Sequence, residues 1–165
     1  MSFLKHIRTV WNDFFEGSPS TTLGPKEYTS RQTPSVANVY VSNCLFNGCS
    51  SSSNGGALYC STSVTFLLVE SSSFLSCKTS SRYGGAIYFS NTNSGESVLH
   101  KVCGSDCLST YTSYPDGQFV YIQVKDTVSS KNYVNYSSIV RCVNEISNSR
   151  YPLYFFYGKN HLPSV

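Results

Sequence analysis

The sequence predicts an all-β fold, a parallel β-helix of about four coils, on three observations. Strand and turn formers dominate: 13 Tyr, 10 Phe and 31 Ser stand among 165 residues, of which only 13% are charged. Apolar residues alternate in short runs, Val39 with Val41 and Leu67 with Val69, as they do in strands that turn one face to a core. The same residue types then recur in the same order at intervals near thirty residues. A sandwich or Greek-key barrel shares the first two features but has no reason for the third.

Residues 1–16 carry a helical pattern, with Phe3, Ile7, Val10, Trp11 and Phe14 on one face and a stop at Gly17 and Pro19. The reading is a helix that caps one end of the β domain, since its polar face lacks the Lys/Arg density of a membrane-surface helix. Residues 17–35 read as linker, from Gly17-Ser18-Pro19-Ser20 to Thr33-Pro34-Ser35. Residues 36–157 form the repeats and 158–165 a tail.

The first two copies define the repeat. Val41-Ser42-Asn43-Cys44-Leu45-Phe46-Asn47-Gly48-Cys49 aligns with Val69-Glu70-Ser71-Ser72-Ser73-Phe74-Leu75-Ser76-Cys77. Asn54-Gly55-Gly56-Ala57-Leu58-Tyr59 then matches Tyr83-Gly84-Gly85-Ala86-Ile87-Tyr88. Two looser copies follow. Leu99, Gly104 and Cys107 lead to Asp116-Gly117-Gln118-Phe119-Val120-Tyr121, and Val134, Ile139 and Cys142 lead to Arg150-Tyr151-Pro152-Leu153-Tyr154. Successive Cys are 28, 30 and 35 residues apart, the drift falling in loops.

A unit this short, with no helix, buries an apolar side only by stacking on its neighbour. Stacking predicts three columns: Val41, Val69, Leu99 and Val134; Phe46, Phe74, Gly104 and Ile139, with a gap at Gly104; and Cys49, Cys77, Cys107 and Cys142. Gly55-Gly56 and Gly84-Gly85 supply bends of positive φ that lead into the next strand. The open ends of such a stack are unpaired edges, prone to edge-to-edge self-association unless covered.

The Gly-Gly-Ala-Leu and Gly-Gly-Ala-Ile segments, each preceded by Phe-x-x-Cys, resemble the right-handed β-helix repeats of bacterial polymorphic outer-membrane proteins. The cysteine version is similar to the repeat proteins of trichomonad parasite surfaces. The resemblance spans about residues 36–157. It implies a right-handed, pectate-lyase-like β-helix in a truncated member of such a family, with a cell-surface or extracellular, adhesive role and a host-surface protein or glycan as partner.

Targeting signals give a separate reading. Lys5 and Arg8 interrupt the apolar stretch of a signal peptide, and no run approaches the roughly 18 apolar residues of a membrane span. Seven Cys nevertheless suit an exported protein. Together these predict a piece of a longer secreted or surface protein.

Little points to chemistry. Asp106, Asp116 and Asp126 are the only acidic cluster, and Asp116-Gly117 already has an explanation as a turn, so no catalytic residue is assigned. His100 pairs with Asp106 on paper, yet without a nucleophile motif it reads as an outward strand residue. Cys44-x4-Cys49 and Cys103-x3-Cys107 are loosely spaced for zinc and lack His partners, so no metal or other cofactor is expected. The cysteine column reads as either inter-coil disulfides, Cys49–Cys77 and Cys107–Cys142, or a ladder of reduced thiols. A net charge of +3 without a basic stripe excludes nucleic acid as a partner. The expected function is a non-catalytic scaffold or adhesion module. The alternative is a carbohydrate-active or carbohydrate-binding β-helix, which a surface row of Tyr beside Asp or Arg would favour.

Overall fold

The computed structural model describes residues 10–113, 115–143 and 151–161. The chain winds as a parallel β-solenoid of about four turns. The first full coil holds β3 (Asn38–Ser42), β4 (Leu45–Asn47), β5 (Ser50–Ser51) and β6 (Leu58–Cys60), after the short strands β1 (Thr21–Leu23) and β2 (Glu27–Tyr28). The second repeats the plan with β7 (Phe66–Glu70), β8 (Ser73–Leu75), β9 (Lys78–Thr79) and β10 (Ile87–Ser90). The third has β11 (Glu96–His100), β12 (Cys103–Ser105), β13 (Leu108–Ser109) and β14 (Val120–Gln123). The fourth has β15 (Lys131–Asn135), β16 (Ser138–Val140) and β17 (Leu153–Phe156), and β18 (Lys159–His161) follows.

Equivalent strands pair in parallel and build four walls, ordered β1-β3-β7-β11-β15-β18, β2-β4-β8-β12-β16, β5-β9-β13 and β6-β10-β14-β17. The segments read as linker and tail therefore take part in the stack. Leu23 registers with Val41, Tyr28 with Phe46 and Lys159 with Lys131. Strands of two or three residues bounded by Pro and Gly leave too little alternation for a sequence pattern to mark them. The same features blunt the N-terminal edge, since short strands and the flanking Pro19, Pro25 and Pro34 resist pairing with another chain.

Single-residue left-handed corners turn the chain between walls. Asn43, Ser71, Lys101 and Tyr136 form one column of them, at φ of 53°, 46°, 55° and 51°. Gly48, Ser76, Asp106 and Arg141 form the next, at 63°, 52°, 55° and 52°. A left-handed residue with a side chain costs about 1–2 kcal/mol, and in the first three coils each corner N–H regains part of that through the next coil. Asn43 N donates to Glu70 O at 3.1 Å and Ser76 N to Ser105 O at 2.9 Å.

The columns stack as the repeat requires. Val41 registers with Val69, Val69 with Leu99 and Leu99 with Val134. Phe46 stacks on Phe74, centroids 4.6 Å apart and planes 1° from parallel, and Tyr28 extends the row at 5.0 Å. At the Gly104 gap the opposite wall responds. Ala57, Ala86 and Phe119 share a backbone ladder, and the buried Phe119 ring fills the space beside Gly104, where a Cβ would lie 2.6 Å from it. The first two coils match a column Phe with a ladder Ala, and the third reverses the sizes with Gly104 and Phe119.

Over its described residues the N-terminal helix lies on a wall of the solenoid. Its described part, α1 (Trp11–Phe14), lies with Phe15 across the outer face of the longest wall, on Leu68 and Val98. Residues 1–9 of the amphipathic pattern lie outside the described residues. The reason is compositional: Tyr40, Leu68, Val98 and Tyr133 point outward from consecutive strands, so this wall has a second apolar face that needs cover.

Candidate functional site

The cysteine column lies inside the stack, just past the second corner of each coil. Cys49, Cys77, Cys107 and Cys142 are buried, and all seven cysteines are free thiols. The column is hydrogen-bonded in both directions. Cys49 Sγ donates to Tyr28 O at 3.2 Å and Cys107 Sγ to Phe74 O at 3.3 Å, one coil back. Cys77 N donates to Cys107 Sγ at 3.2 Å and Cys107 N to Cys142 Sγ at 3.4 Å, one coil forward. Burial pushes the Cys49 thiol up to about 12. Shared thiol protons drive other members apart: hydrogen bonding to Cys142 and Cys77 raises Cys107, while hydrogen bonding to Cys107 lowers Cys77 and Cys142.

The turn glycines sit where the chain enters the fourth wall. Gly55 and Gly84 have φ of 71° and 62°, and a Cβ on Gly84 would lie 2.1 Å from Ile87 O. Gly56 and Gly85 are required by closeness instead: a Cβ on Gly56 would lie 2.2 Å from Gly85 O. These bends aim Leu58 and Ile87 inward and the tyrosines after them outward, and Val120 and Leu153 hold the same register in the next two coils.

Those tyrosines form the most developed surface feature. Tyr59, Tyr88, Tyr121 and Tyr154 register strand by strand on the fourth wall. Their rings stack at 5.2, 5.4 and 5.0 Å, with planes 8°, 9° and 3° apart. Arg31 closes one end, its guanidinium 4.5 Å over the Tyr59 ring and held by Ser51 Oγ and Asn54 O. Tyr83 leans on Tyr121 at 4.4 Å, Arg82 lies over Tyr83 at 5.1 Å, and Arg82 pairs with Asp116 at 3.2 Å. Burial, then the neighbouring phenols of Tyr83, Tyr88 and Tyr154, push Tyr121 up to about 12, so its hydroxyl stays protonated and able to donate near neutral pH. Because the inner rings cover one another's faces, the row presents edges and hydroxyls rather than open faces for stacking. The repeat contained this ladder, as Tyr follows the inward residue in all four copies.

A second polar cluster closes the long wall. Glu70 is buried and its carboxylate accepts from Ser71 Oγ at 2.6 Å, Ser42 Oγ at 2.9 Å and Tyr40 Oη at 3.2 Å. Burial raises its pKa, but the three hydroxyl donors and nearby His100 outweigh that and hold it below its ordinary value. His100 registers beside Glu70, under Phe14 at 5.5 Å and against Tyr136 at 5.6 Å, and is not paired with Asp106. Burial and Lys101 lower its pKa, with Glu70 and Asp13 opposing. The Ser42 and Ser71 hydroxyls donate to the Glu70 carboxylate of this pair.

The three acids of the sequence cluster part company. Asp106 binds Arg141 at 2.7 Å across one coil, Asp116 binds Arg82, and Asp126 is exposed in a loop. Among the described residues no three His, Cys, Asp or Glu side chains converge as a metal site, and no helix is long and apolar enough to cross a membrane.

Fold and surface together define a parallel β-solenoid with one lateral wall faced by stacked tyrosines. No family model matches the chain, and no curated protein or solved structure is significantly similar to it.

Proposed function

We propose that this chain is a non-catalytic adhesion module, a rigid repeat scaffold that binds a glycan along its tyrosine ladder. The observation that carries the reading is the row Tyr59, Tyr88, Tyr121 and Tyr154 flanked by Arg31, Arg82 and Asp116. Phenols at one-coil spacing offer an amphipathic strip of ring edges, with hydroxyls that donate and accept. A linear polymer of hydroxylated units, laid parallel to the stack axis, meets the same group at each coil. The pairing of Asp106 and Asp116 with arginines supports a binding role over acid–base chemistry, which needs a poised carboxyl. The resemblance of the Gly-Gly-Ala-Leu repeat to surface β-helix repeats supports a surface or extracellular setting.

The test is retention of the purified chain on immobilised polysaccharides and a glycan array, beside a variant carrying Tyr88→Phe and Tyr121→Phe. Those changes keep the rings stacked and remove two hydroxyls. Binding should fall at least about tenfold, one unit of about 1.4 kcal/mol for the lost hydrogen bonds. Retention unchanged by the double substitution defeats the assignment of the face. Shortening of the bound polymer shows an enzyme instead.

A further inference from the structure

The cysteine column has a property that packing alone does not require. The other inward columns vary from coil to coil, as Phe46, Phe74, Gly104 and Ile139 do, yet four coils in succession place Cys at this one. The remaining cysteines have no such neighbour: Cys60 registers with Phe89, and Cys103 with Ser73 and Ser138. Cys44 instead donates to Leu23 O and Gly24 O.

We propose that the column is a disulfide-forming site, in which Cys49 bridges Cys77 and Cys107 bridges Cys142 when the chain folds under oxidising conditions. Parallel strands lie about 4.8 Å apart, inside the window of about 4.4–6.8 Å that a disulfide spans between Cα atoms. The contacts show the sulfurs already directed along the column. Cys107 Sγ sits 3.2 Å from the Cys77 amide and Cys142 Sγ 3.4 Å from the Cys107 amide. Bonding requires the Cβ atoms to close from the strand spacing of about 4.8 Å to the roughly 3.5–4.5 Å that a disulfide spans, a shift that draws adjacent corners together.

The pairing follows from the row. Four thiols in line give two bonds only as 49–77 with 107–142. A first bond at 77–107 strands the outer two at three coil heights, about 14 Å, beyond any bridge. The chemistry needs a disulfide oxidant such as oxidised glutathione. One Cys thiolate attacks it, forming a mixed disulfide and releasing one glutathione thiolate. The neighbouring Cys thiolate then attacks the protein-side sulfur and releases the second. The protein loses two protons and two electrons per bridge, and one glutathione disulfide becomes two thiols. Burial closes the column to the reagent in the finished fold, so exchange takes place during folding.

The test is refolding from denaturant in a buffer of oxidised and reduced glutathione, followed by isolation of the folded monomer. Thiols are counted in denaturant, and unreduced peptides are mapped by mass spectrometry. Four of the seven thiols should disappear, in peptides linking Cys49 to Cys77 and Cys107 to Cys142, with Cys44, Cys60 and Cys103 still free. The urea midpoint should rise and return to the reduced value after dithiothreitol. Seven free thiols in the refolded monomer, a lone Cys77–Cys107 bridge, or bridges to Cys44, Cys60 or Cys103 would each overturn the proposal. In a Cys77→Ser chain only the Cys107–Cys142 peptide should remain, and the wild-type map decides the matter if that variant does not fold.

Discussion

Moving one aromatic ring across the core tests the size complementarity that holds the third coil. Phe119 occupies the ladder position of Ala57 and Ala86, and Gly104 that of Phe46 and Phe74. Phe119→Ala leaves a ring-sized void and should cost about 3–5 kcal/mol. Gly104→Phe alone drives a Cβ to 2.6 Å from the Phe119 ring. Its cost should exceed the roughly 1–3 kcal/mol of ordinary overpacking. Combined, the two changes restore the order of the first two coils. Gly104 lies in a strand and needs no positive φ, so a side chain there is tolerated. The transplanted ring can stack on Phe74 as Phe74 stacks on Phe46, an arrangement that adds about 0.5–1.5 kcal/mol beyond burial. The double variant should therefore lie within about 2 kcal/mol of the parent, a coupling of at least about 3 kcal/mol in the mutant cycle. Urea unfolding followed by the single, fully buried Trp11 and by far-ultraviolet circular dichroism supplies the numbers. Additive losses would refute the reasoning, because they would mean that the two positions do not share one space.

Two further perturbations address the corners and the buried acid. Gly84→Ala should destabilise the fold well beyond the roughly 1–2 kcal/mol of a left-handed alanine, because its Cβ meets Ile87 O. Gly48→Ala, with open space around it, should cost only that backbone term, and urea midpoints of the two distinguish contact from conformation. Glu70 and His100 both have lowered pKa values in the fold, so the unfolded chain binds more protons as pH falls and stability must drop. The His100 part is present above its unfolded value near 6.5 and the Glu70 part above its unfolded value near 4.3, each being lost as pH falls through the folded value. Stability measured from pH 8 to pH 3 should decline in these two windows, and Glu70→Gln should flatten the lower one while deepening the upper, because it removes the carboxylate that opposes the lowering at His100.

The inward half of this molecule was legible because stacking forces repetition. A residue facing the core of a solenoid meets its own counterpart above and below, so Val41, Phe46 and Cys49 set the chemistry of Val69, Phe74 and Cys77. The Gly104 gap was legible as an anomaly, but its remedy was not. Phe119 lies on another wall, and alignment along one column carries no information about which column faces it. The outer surface escaped for a different reason. Strand alternation marks Leu68, Val98 and Tyr88 simply as positions on one side or the other, whereas the burial of each depends on what crosses it. Leu68 is covered because α1 returns over its wall, a contact between residues more than fifty positions apart that no local pattern encodes. The tyrosines cover one another instead, four rings in register with an arginine at the end. Packing against the neighbouring ring already accounts for the aromatic character of each. It does not account for the hydroxyls, since phenylalanine would stack as well at every rung. Recurrence of tyrosine, rather than phenylalanine, on the one wall where the edges face outward is thus the feature on which the proposed polar ligand rests, and exchanging those hydroxyls for hydrogen probes that proposal while leaving the rings themselves in place.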